Sequence, residues 1–275
     1  MGGIYLWGGI EVEQLGTEKA QALAQTITNV GTPAFEASLD TWLGVSYKID
    51  NVTMIAFFDD RRPEVFYSRA RDRRVFEKLD SDYVRGVYLL DPAYALHADR
   101  ADEDLYRLYD IAPDQFQRNE YYATYYRRTT LIDEMIYFVR PSPGVSVMVC
   151  VGRDASSGRK FSAHMFEKLR TSAPIVLALA KRHWGNLRSA EPQSEPQVAE
   201  LLRERVRQDK GIALSPRQSE IAFLILQGHS SVSIGLLLGI SPQTVKVIRK
   251  QLYRKCEISS QAELFSLLTP FLLSM

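Results

Sequence analysis

Apolar positions in this chain change period along its length, and the changes mark out its elements. Segments 52–58, 64–68, 134–139 and 145–151 alternate apolar with polar residues and are rich in β-branched and aromatic side chains, which predicts strands; 45–47 reads as a shorter one. Asp59-Asp60 and the turn residues at 141–144 predict hairpins. Helical spacing appears over 17–30, 73–83, 119–128 and 162–184, the last containing Pro174. An antiparallel sheet flanked by helices buries all of these faces with one core, so an α/β/α arrangement is expected for residues 1–185.

Beyond them lies NLRSAEPQSEPQ at 186–197, polar and without apolar periodicity, and then VAELLRERVRQDK at 198–210, a charged helical segment with a narrow stripe of Val198, Leu201, Leu202 and Val206. Together they read as a linker, 186–210, whose helix joins two domains or pairs with a second copy. The fold class expected for the whole is α+β, with a second, four-helix domain at 211–275.

Four helix starts in that second domain follow from capping chemistry. Ser215 with Pro216 and Gln218 supplies an N-cap, a first-turn proline and the partner of a capping box, and Ser260 with Glu263 repeats the device. Ser241-Pro242 opens a third helix, while Gly228 and Gly239 stand where helices must stop. Helices are expected at 216–227, 231–238, 242–255 and 261–272. The short Gly239-Ile240-Ser241 connection is the length a DNA-binding helix-turn-helix uses, which makes 242–255 the reading helix.

On that helix Val245, Ile248 and Leu252 share the core face, leaving Lys246, Arg249, Lys250 and Tyr253 opposite. Lys246, Arg249, Lys250, Arg254 and Lys255 follow one another with no acidic residue between them, as phosphate neutralisation requires. The stretch LSPRQSEIAFLILQGHSSVSIGLLLGISPQTVKVIRKQLYRKC, from Leu214, resembles the LuxR-type helix-turn-helix. That resemblance implies base contacts from Lys246, Val247 and Lys250 and phosphate contacts from Gln243 and Thr244, with Arg249 and Arg254 as further backbone contacts. It also implies dimerisation through the last helix, where Leu264, Leu267, Leu268, Phe271 and Leu272 exceed the needs of a small core, and a two-fold homodimer on an inverted-repeat operator in double-stranded DNA. Val232, Leu236 and Leu237 replace polar residues of the family's scaffold helix and are expected to be covered by the N-terminal domain or a partner subunit.

Composition narrows the remaining choices. Hydrophobic residues at 45% and charged residues at 24% are ordinary for a folded globular protein. The apolar runs 175–180 and 221–226 are far too short to span a bilayer, and no basic residue precedes Lys19, so a cytoplasmic location without membrane association is expected. Net charge is only +1, yet 211–275 carries six Lys or Arg against three Glu. Two cysteines, Cys150 and Cys256, and four scattered histidines offer no metal or disulfide framework, and no cofactor or catalytic motif is present.

Aromatic residues crowd the N-terminal half and suit an apolar pocket with a few hydroxyls. The pattern of helices around an antiparallel sheet is similar to PAS and GAF-like sensors and to the autoinducer-binding domains of quorum-sensing LuxR proteins. YVRGVYLLDPAY, from Tyr83, is similar to the tyrosine-then-Asp-Pro stretch of lactone binders, with Asp91 at the ligand amide; Lys78 and Tyr106 stand where those proteins carry tryptophans. Asp91-Pro92 is equally the N-cap and N1 of a helix. Candidate ligand contacts are therefore Trp42, Tyr47, Phe57, Tyr67, Tyr83, Tyr88 and Asp91. The expected function is a sequence-specific transcriptional regulator gated by a small organic ligand; the alternative is a ligand-independent regulator whose N-terminal half is an interaction or dimerisation module.

Overall fold

A computed structural model describes residues 16–189 and 198–274. Strands β1 (Asn51–Phe58), β2 (Glu64–Ala70), β3 (Asp104–Arg107), β4 (Leu131–Ser142) and β5 (Val145–Asp154) form one sheet in the order β2-β1-β5-β4-β3, antiparallel throughout. Alternation along the central strands sends Met54, Tyr137 and Val149 to one face and Ile55, Ile136 and Met148 to the other.

The first face is covered by α1 (Thr17–Thr28), α2 (Phe35–Ser46) and α6 (Ala163–His183). In α2, Phe35, Leu39, Trp42 and Leu43 recur at helical spacing and are buried. That face corrects the short strand expected at 45–47, which is the end of α2 and its exit into extended chain at Tyr47. Pro174 lies inside α6 without ending it; the proline is on the exposed side of the helix, while Ala173 and Val176 stay buried.

The second face carries α3 (Pro92–Ala98), α4 (Leu108–Ile111), α5 (Glu120–Thr124) and short turns. Segment 73–83, expected as one helix, is a 3-10 turn at Arg73–Phe76 followed by a π turn at Leu79–Tyr83, and 119–128 is α5 followed by a 3-10 turn at Tyr126–Thr129. Asp91 caps α3, accepting a 2.9 Å hydrogen bond from the Ala93 N–H. Ser146 Oγ, His97 and Asp59 stand in series at 2.9 and 3.3 Å and fasten α3 to the sheet. The Ser146 hydroxyl is fully buried, and burial brings the His97 imidazole down to about 4, so the ring is neutral there.

The chain ends in α7 (Val198–Lys210), α8 (Pro216–Gln227), α9 (Ser231–Leu238), α10 (Pro242–Lys255) and α11 (Gln261–Leu273). Helix α7 is no free connector: Leu202 and Val206 are buried against α8 and α11 of the same chain. The polar stretch 190–197 lies outside the described residues.

Candidate functional site

Serine caps set the geometry of α8, α9 and α10: Ser215, Ser230 and Ser241 each accept the backbone N–H three residues on, and Ser215 with Gln218 completes the reciprocal box. Gly239, at φ +64°, ends α9 in a left-handed turn that a side chain would strain. The two helices it joins turn through 108°, the angle of a helix-turn-helix. Val245 and Leu252 anchor α10 in the core. Gln243, Thr244, Lys246, Val247, Lys250 and Arg254 are all exposed along its outer side. Arg249 is half-buried, donating to Tyr253 Oη at 3.1 Å with its guanidinium 5.1 Å from the ring centroid. Lys255 is also exposed, with its ammonium donating to the Ala213 carbonyl.

A second feature lies on the second face of the sheet. A cavity of about 60 Å³ is bounded by β1, β4, β5, the π turn, the start of α3 and α5. Tyr83, Asp91, Tyr121, Tyr125, Tyr126 and Glu134 supply its polar lining, between Ile55, Leu79, Met148 and other apolar side chains. Burial raises the Asp91 carboxyl, opposed by the Ala93 N–H and the Tyr83 and Tyr121 hydroxyls. Burial, with the nearby Asp91 and Asp133 charges, pushes Glu134 up to about 8. Tyr121 Oη, beside Asp91, and Tyr126 Oη, beside Tyr109, are fully enclosed, and neither reaches full hydrogen-bonding geometry with a partner.

Of the aromatic residues singled out by sequence, Tyr83 lines this cavity together with Asp91. Trp42, Tyr47 and Tyr67 are on the opposite face of the sheet, because α2 and the register of β2 direct them there; Tyr67 donates to Asp40 at 2.8 Å. Phe57 and Tyr88 are on the correct face but pack with Tyr94, beside the cavity rather than in its wall. Glu134 was not singled out, although its signal was present: it occupies the inward period-2 position shared by Ile136 and Phe138.

The same segments that wall the cavity hold the C-terminal helices. Gln115 N–H donates to the Gly228 carbonyl at 2.9 Å, Ser230 N–H to Asp114 Oδ1 at 2.9 Å, and Asn119 Nδ2 to the Leu226 carbonyl at 3.4 Å. Gln227 Nε2 reaches the Leu89 carbonyl at 3.4 Å. Gly228, at φ +100°, has its Cα so close to Asn119 and Phe116 that a Cβ would sit 2.6 Å from Asn119 Nδ2. The end of α11 lies on Gly86, and Leu264, Leu268, Phe271 and Leu272 are buried. The apolar surplus of α11, expected to meet a second subunit, is thus largely covered within the chain. Val232, Leu236 and Leu237 are 58%, 81% and 58% exposed within the chain, so the N-terminal domain does not supply the cover expected for them.

Residues 213–268 match the family model described as bacterial regulatory proteins, luxR family. An HTH-type transcriptional regulator from the exeN 3' region of Aeromonas salmonicida is 31% identical over 153 residues, which is 54% of this chain and 78% of that protein. The chain belongs to the luxR family of bacterial regulatory proteins. It is therefore a DNA-binding transcriptional regulator, in a family of regulators rather than of enzymes. Among solved structures, this LuxR-family chain is similar to the VqsR LBD domain from Pseudomonas aeruginosa, with a TM-score of 0.52 and 25% identity over 62% of this chain and all of that one. Escherichia coli SdiA aligns with 93% of this chain and 97% of its own at 15% identity and a TM-score of 0.41. Among the described residues, no single helix is long and apolar enough to cross a membrane.

Proposed function

We propose that this regulator is a ligand-gated, cytoplasmic repressor or activator built from a sensor domain, residues 1–185, and a DNA-binding domain, 211–275, joined through 186–210. The observation that carries the reading is the double use of two segments: Val87–Ala93 and Phe116–Tyr126 bound the cavity on one side and hold the helix-turn-helix on the other. A ligand that changes the cavity wall changes the same residues that grip α8, α9 and α11, and so shifts the population of docked and released modules. The likeness to the VqsR LBD domain supports a sensor role for the sheet. Release exposes α11, the helix through which the family resemblance implies pairing, and a two-fold homodimer then meets an inverted repeat.

In this reading Lys246, Val247 and Lys250 face base edges, and Gln243, Thr244, Arg249 and Arg254 face phosphates. Lys246→Ala or Lys250→Ala should weaken binding to an operator selected from random duplexes by roughly 1–3 kcal/mol and broaden its sequence preference. Arg254→Ala should weaken all duplexes alike and lower the salt slope by about 1. Fluorescence anisotropy over a salt series separates these outcomes; unchanged affinity in both lysine variants contradicts the assignment of α10.

Gating is tested by native mass spectrometry of the full chain. The expected spectrum contains a small-molecule adduct that is lost on unfolding and is depleted in Asp91→Asn, a change that keeps the cap. A bare polypeptide, with operator affinity that no cell extract alters, favours the ligand-independent regulator instead.

A further inference from the structure

The chemistry of the cavity is unusual for a site that would accept a neutral amphiphile. Asp91 and Glu134 both open into it, and among the described residues no Lys, Arg or His lines it. Two enclosed carboxyls without a cation are costly to ionise, and a buried charge that lacks a partner is normally neutralised or paired. Among the described residues lining the cavity, no such cationic partner is present. Tyr121 and Tyr126, 0% and 4% exposed, also line this space; their hydroxyls stand near Asp91 and Tyr109, and neither reaches full hydrogen-bonding geometry there. Tyrosine rings stack around the carboxyls, Tyr121 on Tyr125 at 5.6 Å and Tyr83 on Tyr125 at 6.0 Å, and all three residues line the same space. Carboxylates beside aromatic faces are the combination that holds ammonium and guanidinium groups. At about 60 Å³ the space holds a group of a few heavy atoms.

We infer that the cavity binds a small organic cation, an alkylammonium or alkylguanidinium, bracketed by Asp91 and Glu134 among the lining tyrosines. The inference rests on the ligand-gated reading above and names its ligand class. Cation entry removes the proton from Glu134 and leaves an ion pair, so binding is linked to pH. The groups that face Glu134 are Asp91 at the start of α3, Asp133 beside it on β4, Cys150 on β5, and Tyr121 and Tyr126 across the cavity. The two acids and the enclosed surroundings favour the protonated carboxyl when the cavity is empty, and a bound cation reverses that preference. Affinity should therefore rise with pH, by up to about tenfold per unit, and level off above about 8.

The test is calorimetry and thermal melting of the full chain with ethylammonium chloride and methylguanidinium chloride at fixed ionic strength, against N-methylacetamide and N-butanoyl-homoserine lactone as neutral probes. The expected result is binding of at least one cation, weakened tenfold or more in Glu134→Gln, strengthened from pH 6 to pH 8, and absent for the neutral probes. Tyr121→Phe, which keeps the ring, should weaken binding less than Glu134→Gln and serves as a second folded variant. Binding of a neutral probe alone overturns the ligand class and leaves gating standing. Cation binding that Glu134→Gln leaves unchanged overturns the site. Binding of no probe, while an adduct still co-purifies, overturns the class; binding of no probe with no adduct removes both this inference and the gating it rests on.

Discussion

Glu134→Gln is expected to make the protein more stable at alkaline pH and to flatten its pH profile. The carboxyl titrates near 4.5 in the unfolded chain and is pushed up to about 8 when folded, so between those values the folded state holds a proton that the unfolded state has lost. Stability must then fall as pH rises from about 4.5 to 8 and stay level above, by as much as roughly 1.4 kcal/mol per unit and on the order of 5 kcal/mol in all. Glutamine has nearly the same shape and no proton to lose. Chemical denaturation from pH 5 to pH 9 should show the two proteins converging at the acid end and separating by several kcal/mol at the alkaline end. Parallel profiles would mean that Glu134 reaches water in the folded chain.

Gly86→Ala is expected to lift α11 off the sheet region. A Cβ at this position would sit 2.1 Å from the Leu272 carbonyl oxygen and 2.6 Å from its carbon, and backbone cannot swing aside as a long side chain can. Overpacking of this kind costs about 3 kcal/mol, enough to change the docked population more than a hundredfold. Since release frees the pairing face of α11, the variant should dimerise more strongly in sedimentation and bind its operator more tightly. A variant that remains folded, monomeric and unchanged in operator affinity would show that docking does not limit pairing.

The C-terminal helices were legible because their boundaries are written in local chemistry. Serine caps, first-turn prolines and glycine stops act within four residues, and helices expected at 216–227, 231–238 and 242–255 match the observed ones. Strands 52–58 and 145–151 were equally plain, since both are buried on both faces and read as short runs rich in β-branched and aromatic residues. The failures share a different cause. Residues 45–47 look like a strand in isolation, but Val45 and Ser46 close the helix whose buried face Phe35, Leu39 and Trp42 set, and only Tyr47 is extended. Tyr47 and Tyr67 suit a pocket by type, but which side of a sheet a residue meets depends on register, a long-range property. Glu134 was legible as a charged residue on an inward strand position, and only the fold brings Asp91, Tyr121 and Tyr126 beside it. The surplus leucines of α11 were correctly read as needing a cover, and the sequence could not say that the chain supplies much of it.

In the proposed mechanism the helix-turn-helix, held against the cavity-bearing sheet region, must leave it to act on DNA. Amide hydrogen exchange at Gln115 and Ser230 tests it most directly, because each of these N–H groups donates across the contact, one to the Gly228 carbonyl and the other to Asp114. Both amides should be protected in the free protein and should exchange at least tenfold faster when the selected operator is bound, while amides within β1 and β5 keep their protection. Equal protection of Gln115 and Ser230 with and without operator would contradict the account, placing DNA binding in the docked arrangement.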